Sequence, residues 1–320
     1  MADELNVVVE RIDRLTPFVS RFRLVAADGG ALPLFTAGAH IKVTVTLPDG
    51  SAGERHYSLI NSDGQDGGYD IAVQRETGGR GGSDFMHRLA VGAALTVRGP
   101  VNDFPLAIGA TRHVLIAGGI GITPILSMAR ALRAAGQPFE LHYAARSPET
   151  MALRDAVEAA CGKTAHLCFD GGDPAKGLDL ERVVGRPEQG RHIYVCGPKG
   201  MIEAVLATAK RGGWPPANVH YESFGVAPEA GDGAIEVVLF RSGRSIGVPA
   251  QQSILDALLA AGIDHPHDCK RGECSTCQVE VLEGTPDNRD FCLFGPDYDA
   301  GRLMCVCVSR AKTPRLVLDL

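Results

Sequence analysis

Three of the nine cysteines of this chain of 320 residues lie within nine positions of one another. Cys269, Cys274 and Cys277 form a C-x4-C-x2-C pattern in the run CKRGECSTC. Plant-type [2Fe-2S] proteins use this spacing together with a fourth, distant cysteine, because two irons need four thiolates and one loop can supply three of them. The pattern therefore predicts a [2Fe-2S] cluster held by these three residues, with Gly272 allowing the backbone to approach the sulfurs.

The fourth cluster ligand is expected among the cysteines downstream. Cys307 is preferred, since it lies 30 positions after Cys277 and precedes the run VSRA. Cys305 is the main rival, because residues two apart on a strand point the same way. Cys292 is interpreted as a buried thiol. A zinc site is the alternative, but zinc loops usually pair two C-x2-C units, or one with a histidine pair, and the triplet fits that pattern poorly.

The composition excludes several classes of function. A formal net charge of -6 gives no general attraction to nucleic acid or to an anionic membrane. No apolar run approaches 18 residues, and the first residues show no signal-peptide pattern. We therefore expect a cytoplasmic enzyme whose cysteines serve a metal site rather than disulfides.

The chain changes character twice, which predicts a multidomain protein of α+β and α/β class. Residues 1–107 alternate short β-rich runs with glycine-containing turns and predict an antiparallel β-barrel. Residues 108–226 alternate apolar strands with helices and predict a doubly wound parallel sheet. A linker is expected at 227–233, followed at 234–320 by a ferredoxin of the β-grasp type, with a helix that Ser253 caps and Gly262 ends.

The second segment carries two patterns of a nucleotide site. The turn 117–124 (AGGIGITP) follows a strand and opens a helix for which Thr123 is the expected N-cap. A second turn, 195–198 (VCGP), ends a later strand, where open α/β sheets bind ligands. Arg146 and Asp170 end two further strands and are candidates for contact with an adenosine ribose. Plain strand-to-helix topology, a buried thiol and solvated charges are the alternatives at these positions.

The first segment carries a candidate flavin site. The run 55–59 (RHYSL) offers positive charge for a phosphate, an aromatic wall and a hydrogen-bond donor, with Arg55, Tyr57 and Leu59 on one face of a strand and Ser58 opposite. A strand containing residues 72–75 and the glycine-rich loop 79–83 (GRGGS) follow. A β-barrel with a surface tyrosine is the alternative interpretation.

In combination these motifs resemble one family. The runs RHYSL, GGIGITP and CGP look like those of ferredoxin reductase-type flavoproteins. A C-terminal ferredoxin, the run 222–225 (ESFG) and the final VSRAK and LVLDL runs narrow this to the phthalate dioxygenase reductase family, which includes vanillate O-demethylase reductases. The resemblance covers essentially the whole chain. Lys270 and Ser275 depart from many relatives, which have an acidic residue and a glycine there.

The resemblance implies FMN rather than FAD, NADH as electron donor, and a separate Rieske non-haem iron oxygenase of aromatic catabolism as acceptor. Arg55 and the Arg80–Ser83 loop would hold the FMN phosphate, Tyr57 would pack against the ring and Ser58 would lie near flavin N5. The catalytic candidates are Ser58, Cys196 and Phe224, the last near the contact of flavin and nicotinamide. The predicted flavin-binding residues are Arg55, His56, Tyr57, Ser58, Ala72, Val73, Gln74, Arg80, Gly81, Gly82 and Ser83. The predicted nicotinamide-binding residues are Gly118, Gly119, Gly121, Thr123, Arg146, Asp170, Cys196, Gly197, Pro198 and Phe224.

The mechanism follows from electron counting. NADH gives two electrons as hydride and a [2Fe-2S] cluster accepts one, so a flavin is needed between them. A general NADH oxidase would not need the ferredoxin segment. A reductase for a cytochrome P450 is an alternative interpretation, and a redox-sensing binding module would require a basic helix that the sequence does not show. A monomer is expected, because each chain contains the complete relay.

Overall fold

The computed structural model describes residues 4–76, 79, 81–225, 231–293 and 295–320, and its contacts divide the chain into two compact units, Met1–Glu222 and Ser223–Leu320. Within the described part of the chain, no helix combines the length and the apolar character that crossing a bilayer requires.

The first unit opens with an antiparallel sheet. Its strands are β1 (Glu4–Arg14), β2 (Val19–Ala26), β3 (His40–Thr46), β4 (Ala52–Ser58), β5 (Tyr69–Gln74) and β6 (Ala94–Val101), and the short helix α1 (Gly82–His87) lies between the last two. The strand order is β4-β3-β6-β1-β2-β5, and an antiparallel bridge from Leu59 to Ile71 joins the two edges. Alternate side chains such as Ile41, Val43 and Val45 fill the interior, as period-two patterning requires. The predicted antiparallel architecture is confirmed.

The second sheet of this unit is parallel. Its strands are β7 (Arg112–Gly118), β8 (Phe139–Ala145), β9 (Ala165–Phe169), β10 (Arg191–Cys196) and β11 (Val219–Glu222). Its helices are α2 (Ile122–Ala134), α3 (Arg154–Cys161), α4 (Leu180–Val184) and α5 (Lys199–Arg211). The order β11-β10-β7-β8-β9 places the switch point of the topology between β7 and β10, where open α/β sheets bind ligands. Successive residues Val114 and Leu115 are both fully buried, so both faces of the sheet are covered, and the predicted doubly wound sheet is confirmed.

The start of α2 differs from the prediction. A 3-10 turn at Gly119–Gly121 leads directly into the helix, which begins at Ile122 with Gly121 as its N-cap. Thr123 therefore lies inside the first turn, where its hydroxyl donates to the Ile120 carbonyl at 3.1 Å. The expectation that Thr123 is the N-cap was wrong. The glycine turn already forms a 3-10 turn, so the chain is helical before it reaches the threonine.

The two sheets of the first unit share one core. Barrel residues Val19, Ile60 and Phe104 belong to the same buried cluster as the side chains of α2. The Ser127 hydroxyl donates to the Asn61 carbonyl at 2.7 Å, and Arg130 Nη1 donates to the Ile60 carbonyl at 3.0 Å. These contacts fix the end of β4 against the helix that follows the glycine turn.

The second unit is built around a mixed five-stranded sheet. Its elements are β12 (Ile235–Leu239), β13 (Ser245–Val248), α6 (Ile254–Ala260), β14 (Gln278–Glu283), β15 (Pro286–Asp287), α7 (Pro296–Asp299), β16 (Leu303–Cys305), β17 (Arg310–Ala311) and β18 (Arg315–Leu318). The order is β13-β12-β18-β14-β16, with β12 and β18 parallel and α6 packed on the core. This is the predicted β-grasp arrangement. Ser253 caps α6 by accepting from the Asp256 N–H at 3.0 Å, and Gly262 follows the helix at φ 76°, both as predicted.

Residues that precede β12 are tied to this second unit. Arg289 forms a two-pronged ion pair with Asp232, and the two side chains are only 5% and 6% exposed. Arg310 Nη2 donates to the Gly233 carbonyl at 2.7 Å. Asp232 and Gly233 are therefore part of the packed ferredoxin unit.

Candidate functional site

The cysteine loop folds so that backbone amides face sulfur. The N–H groups of Arg271 and Glu273 donate to Cys269 Sγ at 3.3 and 3.5 Å. Gly272 has φ 77°, and a Cβ there would lie 2.7 Å from Val308 Cγ2. The loop is thus pressed against the segment that carries Cys307, and only glycine fits at this position.

The sulfurs of the loop and of the downstream segment converge. Hydrogen bonds from the thiols of Cys305 and Cys307 hold the pKa of the Cys277 thiol well below its usual range. Donation to Cys277, followed by burial, raises the pKa of Cys307, and a hydrogen bond from the Gly272 backbone partly offsets this. A set of soft thiolates surrounded by N–H donors fits a [2Fe-2S] cluster.

Both candidates for the fourth ligand reach Cys277, but their other neighbours differ. Cys307 faces the loop, through Gly272. Cys305 lies 3.6 Å, sulfur to sulfur, from Cys292, which in turn is next to Asp290. Cys305 therefore has its second sulfur neighbour outside the loop, which favours Cys307 as the ligand.

The predicted flavin strand lies with one face on the barrel core. Tyr57 and Leu59 both pack against the core cluster, and burial raises the pKa of the Tyr57 hydroxyl. Ser58 points the other way and is 4% exposed, with its Oγ 3.4 Å from Glu222 Oε2. His56 stacks on His40 with ring centroids 5.1 Å apart.

The glycine loop after β5 lies beside this strand. A Cβ at Gly82 would overlap the side chain of Arg55, so the guanidinium group crosses the loop closely. Gly81 has φ 81°, and the Ser83 hydroxyl accepts from the Glu76 N–H at 3.1 Å. Arg80 lies outside the described residues.

The three predicted flavin residues of β5 differ in accessibility. Ala72 and Val73 are buried in two different core clusters, whereas Gln74 is exposed. His87 Nε2 lies 3.0 Å from the Val73 carbonyl. Val73 and Ala72 offer a ligand only their backbone, and Gln74 is the one of the three with an accessible side chain.

The two predicted nicotinamide turns come together at the ends of neighbouring strands. A Cβ at Gly118 would lie 2.7 Å from Pro198 Cδ, and one at Gly197 would lie 3.1 Å from Gly118 Cα. A Cβ at Gly121 would overlap the carbonyl of Cys196, a fully buried residue. Gly119 differs, because it has φ 53° and a Cβ added there would meet no atom within 4 Å. Most of these glycines are thus required by packing, and Gly119 by backbone conformation.

Arg146 and Asp170 follow the adjacent strands β8 and β9. The Gly171 N–H donates to the Arg146 carbonyl at 3.0 Å, and Asp170 Oδ1 accepts from the Gly172 N–H at 2.7 Å. Both residues therefore lie at the same edge of the sheet as the glycine turns. Phe224, in the second unit, is 42% exposed.

Sequence reasoning missed Glu222 as a site residue. It ends β11, beside Cys196 in register, and its carboxylate meets the Ser58 hydroxyl within the first unit. A carboxylate that is only 1% exposed next to two predicted catalytic residues is a site candidate. Its position in the ESFG run was the one local signal, but 164 positions separate it from Ser58.

Comparison with known proteins divides the chain in the same order. The family models that match are an oxidoreductase FAD-binding domain at residues 7–105, the N-terminal domain of a dimethylamine monooxygenase subunit DmmA-like family at 98–219, and a 2Fe-2S iron-sulfur cluster binding domain at 237–312.

The similarity to individual proteins extends over the whole chain. A vanillate O-demethylase oxidoreductase of Pseudomonas sp. strain HR199 is 41% identical, with 99% of this chain and 100% of the relative covered. A solved phthalate dioxygenase reductase, described as a modular structure for electron transfer from pyridine nucleotides to [2Fe-2S], is 39% identical with a TM-score of 0.79, covering 99% and 98% of the two chains. A type IV self-sufficient cytochrome P450 monooxygenase is 36% identical with a TM-score of 0.68, covering 99% of this chain and 41% of that one. The family resemblance predicted from the motifs is confirmed, as is the combination of a flavin-binding with a 2Fe-2S domain.

Proposed function

Since the chain belongs to the phthalate dioxygenase reductase family, and is an oxidoreductase that transfers electrons, we propose that NADH is its donor, FMN its flavin and a Rieske non-haem iron oxygenase its acceptor. The observation that carries the proposed relay, with a cluster as its last carrier, is the convergence of the Cys277, Cys305 and Cys307 sulfurs inside the matched 2Fe-2S domain. The acceptor is proposed to be of the aromatic-ring dioxygenase or O-demethylase type.

The flavin is proposed to bind along β4. Arg55 and the loop at Gly81, Gly82 and Ser83 offer a cationic group and backbone N–H donors suited to one phosphate, which supports FMN, with Arg80 as a further candidate. Tyr57 supplies an aromatic wall and Ser58 a hydroxyl. When bound, the flavin supplies conversion of a two-electron hydride into single electrons.

The nicotinamide cofactor is proposed to bind at the switch point between β7 and β10. The turns at Gly118–Gly121 and Cys196–Pro198 offer backbone groups to a pyrophosphate, and Asp170 or Arg146 contacts the adenosine ribose. Asp170 at the adenosine ribose would favour a free 2′-hydroxyl over a 2′-phosphate, and hence NADH over NADPH. If NADPH is accepted, Arg146 is the residue to test. Phe224 is proposed to lie near the contact between nicotinamide and flavin.

The proposed role of Ser58 can be separated from flavin retention. We expect Ser58→Ala to lower the rate of flavin reduction by NADH about tenfold, because a donor positioned at the reacting atoms is lost. Stopped-flow absorbance under anaerobic conditions measures this rate. Ser83→Ala is the matched control, since its hydroxyl belongs to the loop, and it should weaken flavin retention while leaving that rate within about twofold. Reduction of Ser58→Ala at the wild-type rate would contradict the role.

The relay itself is tested by anaerobic titration of the purified protein with NADH. We expect the flavin absorbance to bleach while a [2Fe-2S] signal grows in low-temperature EPR, because the cluster accepts electrons that the flavin has received. Chromatography of the flavin released by heat identifies FMN or FAD. Flavin reduction without a cluster signal in iron-replete protein would refute the relay.

A cytochrome P450 acceptor is the second candidate, because the chain is 36% identical over its whole length to part of a self-sufficient P450. Reduction rates of a purified Rieske oxygenase and of a P450 by the same preparation discriminate the two. A monomer is proposed, and sedimentation of the holoprotein tests it.

A further inference from the structure

A second cluster of metal-ligating side chains lies on the parallel sheet, on strands that carry no predicted cluster ligand. Glu140 and His142 are two residues apart on β8 and therefore share a face, and His166 on β9 is the cross-strand partner of His142. One ligand atom from each of the three lies within 4.8 Å of the others. The side chains of Glu140, His142 and His166 can therefore contact one shared ion.

His142 is the anchor of this cluster. Its side chain is 6% exposed, and among the described residues its Nε2 makes no hydrogen bond. The nearest carboxylate oxygen, Glu140 Oε2, lies at 3.4 Å without hydrogen-bond geometry. A buried imidazole nitrogen without a hydrogen bond carries a desolvation cost, which a bound cation would remove.

The other two ligands complete an open site. Glu140 accepts from Arg191 Nη2 through Oε1 at 3.1 Å, which leaves Oε2 directed at His142. His166 is exposed and stacks on His142 with centroids 4.8 Å apart. Its ring can therefore turn toward a shared ion without displacing core side chains.

The geometry points to a binding site for a divalent transition-metal cation, of which Zn²⁺ is the type, formed by Glu140, His142 and His166. Two imidazoles and one carboxylate suit Zn²⁺, whereas Mg²⁺ and Ca²⁺ prefer oxygen ligands alone. Zinc–ligand bonds of roughly 2.0–2.1 Å in a tetrahedral site place the ligand atoms about 3.3 Å from one another. The three side chains must therefore move slightly closer together than they are in this structure. A water molecule would take the fourth position. The Arg191 contact is the outer-shell hydrogen bond that orients a metal-bound carboxylate.

The site is separate from the proposed cofactor sites. Glu140 and His142 are the second and fourth of the seven residues of β8, whereas Arg146 follows its carboxyl end. Strand β9 is an edge of the sheet. A bound cation would hold this edge strand to β8. It would thereby disfavour pairing of the edge strand with a strand of another chain.

The test uses the holoprotein, dialysed against micromolar ZnCl₂, with bound zinc counted by mass spectrometry and the zinc K-edge absorption recorded. We expect one zinc per chain, bound at least tenfold more weakly by His166→Gln and by Glu140→Gln, and an absorption spectrum of nitrogen and oxygen ligands with imidazole scattering. Glu188→Gln is the matched control, because this exposed carboxylate contacts the other side of Arg191, and it should bind zinc as the wild type does.

Two results would overturn the proposal. Equal zinc binding by wild type and His166→Gln would show that the cluster is not the site. Sulfur ligands at about 2.3 Å would place the zinc on cysteines instead. His166 is exposed, so circular dichroism of its variant should match the wild type, which shows that weaker zinc binding by this variant does not come from misfolding.

Discussion

Replacing Cys307 with serine is expected to remove the [2Fe-2S] cluster. Cys307 accepts from the Gly272 backbone and contacts Cys277, so it faces the loop that carries the other three predicted ligands. Serine is a harder and far less acidic ligand than a thiolate, and three thiolates do not hold two irons. Iron per chain should fall at least fivefold, and the EPR signal after reduction should vanish.

The matched control is Cys305→Ser. It removes a thiol that also contacts Cys277 but whose second sulfur neighbour is Cys292, and it should retain the cluster. Both variants should keep the flavin and reduce a one-electron dye with NADH, which shows that the first unit is intact, and cluster retention by Cys305→Ser shows that a serine in this segment does not unfold the second unit. If Cys305→Ser loses iron and Cys307→Ser keeps it, the ligand assignment is reversed.

The second large effect is expected at Gly121. An alanine Cβ there would overlap the Cys196 carbonyl and lie 2.7 Å from the Gly197 nitrogen, and backbone atoms cannot swing aside as a side chain can. The turn after β7 and the turn after β10 would have to separate. We expect a loss of about 3 kcal/mol in the free energy of unfolding, the upper end of overpacking costs. The rate of flavin reduction by NADH should also fall about tenfold, because both turns border the proposed nicotinamide site.

Gly119→Ala is the control for Gly121→Ala. It lies in the same turn and at φ 53°, but no atom is within 4 Å of the added Cβ. A left-handed alanine costs roughly 1–2 kcal/mol, so this variant should be the milder of the two. Urea unfolding followed by fluorescence of Trp214, the only tryptophan, measures both in the first unit. A Gly119 variant as unstable as the Gly121 variant would contradict the packing argument.

Much of this architecture could be predicted from local pattern. The cysteine spacing, the glycine turns and the capping of α6 by Ser253 each depend on residues close in sequence, so the sequence alone identifies them. The order of these motifs along the chain in turn led to the family resemblance. The N-cap of α2 was misplaced because Gly119–Gly121 coil without any side-chain signal.

Contacts between distant residues could not be predicted in this way. Ser58 and Glu222 meet only because the end of β4 lies beside the end of β11. Cys305 and Cys307 both reach Cys277, and only their other neighbours distinguish them. The cluster of Glu140, His142 and His166 could not be predicted, since no spacing rule joins residues on two strands whose register is unknown.

The ion pair between Arg289 and Asp232 has a consequence for modular exchange. The residues just before β12 have the composition of a spacer, yet Asp232 and Gly233 are held by arginines that lie far downstream. A ferredoxin portion excised at Ile235, or grafted there onto another protein, would keep Asp287 but lose the second of the two carboxylates that pair with the buried Arg289 guanidinium. We therefore expect an autonomous, transplantable ferredoxin to begin at or before Gly231, so that it carries this short leader along with its cysteines.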